Sequence, residues 1–162
     1  MGEARGTQRR VAVFSGRFDH SIDDKGRVSL PATIRDLIQR EGQGKVYITN
    51  QLKDGENKCL DLFLPRDWQA VLSRFGEMPR TRLLERFEML YVGGAHEVPV
   101  DKQGRVLIPQ RLRDFASLSK DITFQGMRDR FEVWDRGKLE YLIDEIAEEL
   151  KNPETREKIG FY

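Results

Sequence analysis

A nine-residue segment that occurs twice constrains the fold of this chain more than any other feature of its sequence. Residues 23–31 read DDKGRVSLP and residues 101–109 read DKQGRVLIP, so the two copies stand 78 positions apart. A second pair, DLF at residues 61–63 and EVW at residues 132–134, is offset by 71, so the first copy holds seven extra residues between the matches. The turn-forming residues at 50–57 locate these extra residues in a hairpin loop, where an insertion costs little. Because duplicated segments in register indicate a duplicated structural unit, the sequence predicts two related repeats.

Each repeat shows the same order of local patterns. Alternating apolar residues predict a strand, Gly26 and Gly104 predict tight turns with glycine at positive φ, and a short return strand ends at a proline. An amphipathic helix, a β-hairpin and a final helix follow in both copies, and a further helix around residues 83–91 connects them. The predicted class is α+β, with one core shared by both repeats. The predicted division is a flexible leader over 1–12, repeats over 13–92 and 93–150, and a tail over 151–162.

The composition argues against several classes of protein. No run approaches the roughly 20 apolar residues of a membrane span, and the first residues lack the apolar stretch of a secretory signal, so we expect a cytoplasmic protein. The one cysteine, Cys59, allows no disulfide within the chain and no cysteine-based zinc site. His20 and His96 do not occupy equivalent positions in the repeats, so we expect no metal site. The net charge is only +1, yet residues 1–40 hold eight basic and five acidic side chains, which permits a local basic face.

The two motifs, with the segment FSGRFDH at residues 14–20 ahead of the first, resemble the tandem SpoVT-AbrB repeats of the MraZ family. The resemblance implies two AbrB-like swapped-hairpin repeats that form one pseudo-dimeric, β-barrel-like core with flanking helices. It also implies a ring-shaped homo-oligomer associated with the nucleoid. The implied function is sequence-specific binding to double-stranded DNA, at direct repeats upstream of the protein's own operon, as a transcriptional repressor of the division and cell-wall gene cluster.

The repeated turn carries the candidate DNA-binding residues. An arginine on a tight turn presents a planar guanidinium that suits phosphate oxygens and the guanine edge, and an aspartate four residues earlier can orient it. A further arginine in the first turn of the following helix lies near backbone N–H groups that favour phosphate. The expected DNA-binding residues are Lys25, Arg27, Arg35, Lys102, Arg105 and Arg113, with Asp23 and Asp101 as orienting residues and Gly26 and Gly104 as loop glycines. The alternative for each Asp–Arg pair is an exposed salt bridge that only fixes the turn.

Other functions find less support in the sequence. The chain lacks the order of a catalytic triad, a Walker motif, a metal-binding histidine pair on a helix and a dinucleotide-binding glycine motif, so we expect no enzyme, no cofactor and no small-molecule substrate. The alternative function is an AbrB-like protein-interaction module of the antitoxin type, because the same fold can serve either role. Such antitoxins usually carry one repeat and a disordered toxin-binding tail, whereas two repeats fill this chain.

Overall fold

The computed structural model describes residues 13–41 and 43–161, and the leader expected at 1–12 lies outside them. The strands in this part of the chain are β1 (Arg17–Ser21), β2 (Arg27–Ser29), β3 (Lys45–Leu52), β4 (Lys58–Phe63), β5 (His96–Pro99), β6 (Arg105–Leu107), β7 (Asp121–Gly126) and β8 (Phe131–Asp135). The helices are α1 (Ala32–Glu41), α2 (Pro65–Glu77), α3 (Arg82–Tyr91), α4 (Gln110–Phe115), α5 (Arg136–Glu149) and α6 (Pro153–Glu157). The α+β class is confirmed.

The two repeats exchange their first strands. Six strands form one antiparallel sheet in the order β1-β7-β8-β4-β3-β5, and β2 pairs with β6 in a separate two-stranded ribbon. Strand β1 of the first repeat pairs with β7 of the second, with Phe18 opposite Phe124. Strand β5 of the second repeat pairs with β3 of the first, with Val98 opposite Val46. The swapped-hairpin prediction is therefore confirmed, although the sheet is open, with β1 and β5 at its edges, and does not close into a barrel.

An approximate two-fold axis relates the two repeats. In the sheet it passes between β4 and β8, where Asp61 is the partner of Glu132. In the ribbon it passes between Val28 and Val106, which are also direct partners. These two pairs have the sequence offsets of 71 and 78 that relate the repeats. Each of the four residues therefore meets its own counterpart in the other repeat.

The sheet separates two layers of structure. Because side chains alternate along a strand, Leu60 and Leu62 of β4 face one layer while Cys59, Asp61 and Phe63 face the other. The first layer holds α1, α4 and the ribbon. Its core takes buried residues from both repeats, including Val28, Leu30, Ile34, Ile38, Val106, Ile108, Leu112 and Ala116. The second layer holds α2, α3 and α5, which pack on the sheet through two separate clusters. The core that joins the two repeats is therefore the one in the first layer.

The helix boundaries follow from the local sequence. Pro65 begins α2, where its missing N–H costs no hydrogen bond. The Thr81 hydroxyl accepts a hydrogen bond from the Leu84 N–H and caps α3. The sequence pattern did not predict α6, which is capped by Asn152 through a bond from the Glu154 N–H. Among the described helices, each is too short or too polar to cross a bilayer.

The first hairpin is longer than the second, as the extra residues require. Strand β3 runs to Leu52, so the hairpin tip is residues 53–57 and not the whole of 50–57. The longer hairpin brings Lys53 into an ion pair with Glu132 of the second repeat. The extra residues therefore extend the sheet and add a contact between the repeats.

Fragments that separate the repeats are expected to lose the fold. A cut after residue 92 removes β5 from β3, β1 from β7 and β6 from β2, so each fragment exposes core surface that the other covers. Residues 1–92 and 93–162, purified separately, should show no cooperative thermal transition by circular dichroism, and their mixture should regain one. A sharp transition from either fragment as a monomer would refute an intertwined core.

Candidate nucleic-acid interface

Two loops of the same geometry join β1 to β2 and β5 to β6. One oxygen of the Asp23 carboxylate accepts hydrogen bonds at 2.9 Å from the backbone N–H groups two and four residues later, and the other accepts from Arg27 Nε at 2.8 Å. Asp101 accepts the same three bonds in the second loop, the last from Arg105 Nε, each at 2.9 Å. Each aspartate thus orients the arginine four residues later. Because Nε is held, the terminal Nη groups of the guanidinium are the atoms placed to bind a ligand.

Each loop requires glycine because an arginine of the other repeat lies against it. Gly26 and Gly104 have φ of +88° and +76°, which residues with a Cβ rarely adopt. A Cβ on Gly26 would lie 2.7 Å from the guanidinium carbon of Arg113, and a Cβ on Gly104 would overlap Cδ of Arg35. Arg113 belongs to α4 of the second repeat and Arg35 to α1 of the first. The contacts cross between the repeats in both directions, so each loop is shaped by both.

Arg35 and Arg113 are predicted DNA-binding residues, and the structure places them behind the loops. Arg113 Nε donates a hydrogen bond to the Ile108 carbonyl at 3.0 Å, which holds its guanidinium against the first loop. The backbone N–H groups of both arginines donate to the carbonyls of Pro31 and Pro109. These two N–H groups are therefore already bonded within their own helical turns.

The ribbon presents two arginines on its outer face. Val28 and Val106 are buried against the core, so their neighbours on each strand point away from it. The outward residues are Arg27 and Ser29 on β2 and Arg105 and Leu107 on β6, with Arg27 opposite Leu107 and Ser29 opposite Arg105. Sequence patterns alone did not single out Ser29 and Leu107, although the alternation in RVS and RVL indicates their shared direction.

Lys25 and Lys102 add exposed positive charge to the two loops. Their positions differ, because Lys25 directly precedes its glycine whereas Lys102 stands two residues before Gly104. With Arg27 and Arg105, they place two cations in each of the two copies of the motif. The site therefore unites four of the six predicted cations in the loops and on the outer face of the ribbon, with Arg35 and Arg113 supporting them.

The two orienting aspartates stay ionised well below neutral pH. Hydrogen bonds from the Arg27 backbone and guanidinium hold the pKa of Asp23 below its ordinary value, and Arg105 lowers the pKa of Asp101 in the same way. A carboxylate with a lowered pKa stabilises the folded loop above its ordinary pKa of 3.8 and loses that effect as the pH falls through the lowered value. The loops therefore keep their geometry throughout the neutral range.

A second cluster of ionisable groups is buried in the opposite layer. Ligand atoms of Cys59, Asp61 and Glu132 lie within 4.8 Å of one another, a spacing that could hold a metal ion. However, Lys53 pairs with Glu132, and Arg130 Nε lies 3.2 Å from Asp61, so two cations already balance the two carboxylates. Burial also raises the pKa of the Cys59 thiol, which disfavours the thiolate that a metal would need. The cluster is an internal ion network at the two-fold axis of the sheet.

Gly104→Ala is expected to destabilise the second loop. A non-glycine residue at positive φ costs roughly 1–2 kcal/mol, and the new Cβ must also displace Arg35. Gly55→Ala is the matched control, because Gly55 has φ of +58° and no described atom beyond its chain neighbours lies within 4 Å of its Cβ position. Thermal denaturation should show a larger loss for Gly104→Ala, and in a double-mutant cycle that loss should shrink in an Arg35→Ala background. Equal losses at both glycines, unchanged by Arg35→Ala, would contradict the crossed contact.

Comparison with known proteins identifies the family. The family model described as "MraZ protein, putative antitoxin-like" matches residues 13–88 and 91–159. The transcriptional regulator MraZ of Acetivibrio thermocellus is 40% identical over 129 residues, which cover 79% of this chain and 85% of that protein. The protein of the same name from Nitratidesulfovibrio vulgaris is 35% identical, over 85% of this chain and 93% of that protein. The one from Solidesulfovibrio magneticus is 39% identical, over 83% of this chain and 88% of that protein. All three relatives bear the name of a regulator and not of an enzyme. Because the family model matches both repeats and these relatives are 35–40% identical over most of the chain, the chain belongs to the MraZ family.

Proposed function

We propose that this protein binds double-stranded DNA and regulates transcription, with the β2–β6 ribbon as the surface that enters the major groove. The observation that carries the proposal is the pair of arginines, Arg27 and Arg105, held by the same aspartate contacts on the outer face of one ribbon. The names of the three relatives, each a transcriptional regulator, support it.

The ribbon suits the major groove in size and in chemistry. That groove admits either an α-helix or a two-stranded β-ribbon. In each of Arg27 and Arg105, the two terminal Nη groups can donate hydrogen bonds to O6 and N7 of one guanine, or to two phosphate oxygens. Because each aspartate holds its arginine before DNA arrives, less side-chain entropy is lost on binding. Lys25 and Lys102 stand on the loops beside the ribbon, where they can bind phosphates of the flanking backbone.

The charge of the chain indicates that one copy alone binds DNA weakly. The net charge is only +1, and each copy offers few phosphate contacts, so the salt-dependent attraction that supports non-specific binding is small. Several linked copies on adjacent sites multiply modest contacts into a high overall affinity. The proposed mode is therefore repeated, sequence-specific contact by an assembly.

Exposed apolar side chains support a homo-oligomer. Leu83 and Met89 on α3 are 74% and 77% exposed, and Tyr141 on α5 is 69% exposed. Of the 14 residues of α5, only Leu139 is buried. Large apolar groups in the layer opposite the ribbon are typical of surfaces that contact another chain. We therefore extend the proposal to a ring-shaped homo-oligomer, in which the ribbons of successive copies meet direct repeats in the DNA.

Family membership extends the proposal to gene control. We propose that the direct repeats lie upstream of the protein's own operon, in the division and cell-wall gene cluster, and that binding represses transcription. A protein with this role acts on the nucleoid in the cytoplasm. The alternative is a protein-interaction module of the antitoxin type, which the same exposed faces of α3 and α5 favour and in which the ribbon has no part.

Arg27→Ala is expected to weaken DNA binding without changing the fold. Arg27 is partly exposed, and its guanidinium contributes about 1–3 kcal/mol if it reads a base; Arg105→Ala should act alike. Fluorescence anisotropy with duplexes that carry one or several sites from the region upstream of the gene should show a loss that grows with the number of sites. Arg74→Ala, at an exposed arginine of α2 in the opposite layer and away from the exposed faces of α3 and α5, is the matched control and should bind like the wild type.

Gel filtration and circular dichroism verify that each variant is folded and unchanged in size. If the double variant Arg27→Ala/Arg105→Ala is intact and still binds the multi-site duplex as tightly as the wild type, the assignment of DNA binding to the ribbon is wrong.

Light scattering tests the proposed assembly. At micromolar concentration the measured mass should be a multiple of the chain mass of 18.9 kDa. Leu83→Asp and Tyr141→Asp should shift it toward the monomer, because a carboxylate buried at an interface is costly. Gln69→Asp, which places a carboxylate at an exposed position of α2 in the same layer, is the control and should leave the mass unchanged. A wild-type protein that is monomeric under these conditions would rule out the oligomer.

A further inference from the structure

The two halves of the ribbon differ at one outward position. Ser29 and Leu107 occupy equivalent places in the repeats, 78 residues apart, yet one carries a small hydroxyl and the other a branched apolar side chain. Because the strands are antiparallel, Leu107 lies opposite Arg27 and Ser29 lies opposite Arg105. Each arginine therefore has a different neighbour across the ribbon, and the two-fold symmetry of the outer face is broken.

Leu107 is exposed where its chain neighbours are buried. It is 52% exposed, whereas Val106 and Ile108 are each 1% exposed and fill the core. Core packing therefore does not explain a leucine on a face that is otherwise formed by two arginines and a serine. An exposed apolar side chain gains stability when an apolar partner covers it. In the major groove, the apolar group at the base edges is the C5-methyl of thymine.

We propose that Leu107 is a specificity-determining residue that contacts the methyl group of a thymine beside the base or phosphate bound by Arg27. The inference rests on the proposed function of the ribbon. In the other half, the Ser29 hydroxyl both donates and accepts hydrogen bonds, so the position beside Arg105 tolerates several bases. The two arginines can bind the same groups of the DNA, whereas Leu107 and Ser29 favour different groups.

This difference gives the recognised site a direction. A ribbon with two equal halves reads a palindromic sequence, because the symmetry of the site mirrors the symmetry of the protein. Unequal halves read a sequence that differs between its two ends. Sites with a direction can be repeated along DNA in one orientation, so the identity of residues 29 and 107 favours a series of direct repeats.

The test begins with selection of bound duplexes by the wild-type protein from a pool with a randomised central segment. Each thymine of the selected duplex is then replaced in turn by deoxyuridine, which removes the methyl group and keeps the base pairing. Wild-type binding should weaken about fourfold at one position, as expected for one buried methyl group. Leu107→Ser, which makes the outward residues of both halves alike, should be insensitive to that replacement, and Leu107→Val should retain part of the sensitivity.

Ser29→Leu is the complementary variant. It places leucine in both halves, so the sequence that it selects should be closer to a palindrome, with a methyl-sensitive thymine on each side. Gel filtration and thermal denaturation verify that every variant keeps the size and fold of the wild type, as expected for substitutions at exposed positions.

The outcomes separate this inference from the proposed function. If the wild type binds the selected duplex and no deoxyuridine weakens binding, or if Leu107→Ser shows the same loss as the wild type, Leu107 does not read thymine while DNA binding by the ribbon stands. If the wild type selects no duplex, both fail. A smaller assembly for Leu107→Ser would assign Leu107 to a contact between copies and would also overturn the inference.

Discussion

The pairing of β2 with β6 brings Val28 against Val106 and joins both copies of the repeated motif in one ribbon. On either side of this contact, the Leu30 N–H donates to the Gly104 carbonyl and the Ile108 N–H donates to the Gly26 carbonyl, both at 3.0 Å. Each of these bonds joins one repeat to the other. The valines bury one face of the ribbon in the shared core, and the same alternation turns the arginines outward. Folding and the recognition surface therefore depend on one set of contacts between the repeats.

The fixed positions of Arg27 and Arg105 matter more for DNA recognition than the total charge of the ribbon surface. The aspartate that holds each arginine also cancels part of its charge, so the face attracts phosphate less strongly than free arginines would. What the protein gains is a fixed direction for two guanidinium groups, which favours contacts that need correct geometry. Charged side chains are also held by partners of opposite charge on the other side of the sheet. Asp61 and Glu132 meet at the two-fold axis, and Arg130 and Lys53 compensate these like charges in the buried layer.

Much of the fold was predictable because the same short motif occurs twice in the sequence, which indicates that the chain is built from two equivalent units. The two offsets indicated which residues are equivalent, and the turn and helix patterns indicated the elements of each unit. The crossed contacts of Arg35 and Arg113 were not predictable, since they depend on which strands pair across the chain. The sequence patterns did not single out Leu107, and the register of the ribbon is what places it opposite Arg27. Asn50 resembled a loop residue, yet β3 continues through it, because it pairs with Leu60 and its side-chain amide donates a hydrogen bond to the Leu90 carbonyl at 3.1 Å.

A structure of the protein bound to its selected duplex would show whether the ribbon is the DNA-binding surface. We expect the ribbon to lie in the major groove, with the Nη atoms of Arg27 and Arg105 about 3 Å from oxygen or nitrogen atoms of the base edges or from phosphate oxygens. Arg35 and Arg113 should remain against the glycines of the opposite loops. DNA bound to the layer of α2, α3 and α5, with the ribbon facing solvent or another copy of the chain, would show that the ribbon is not the DNA-binding surface.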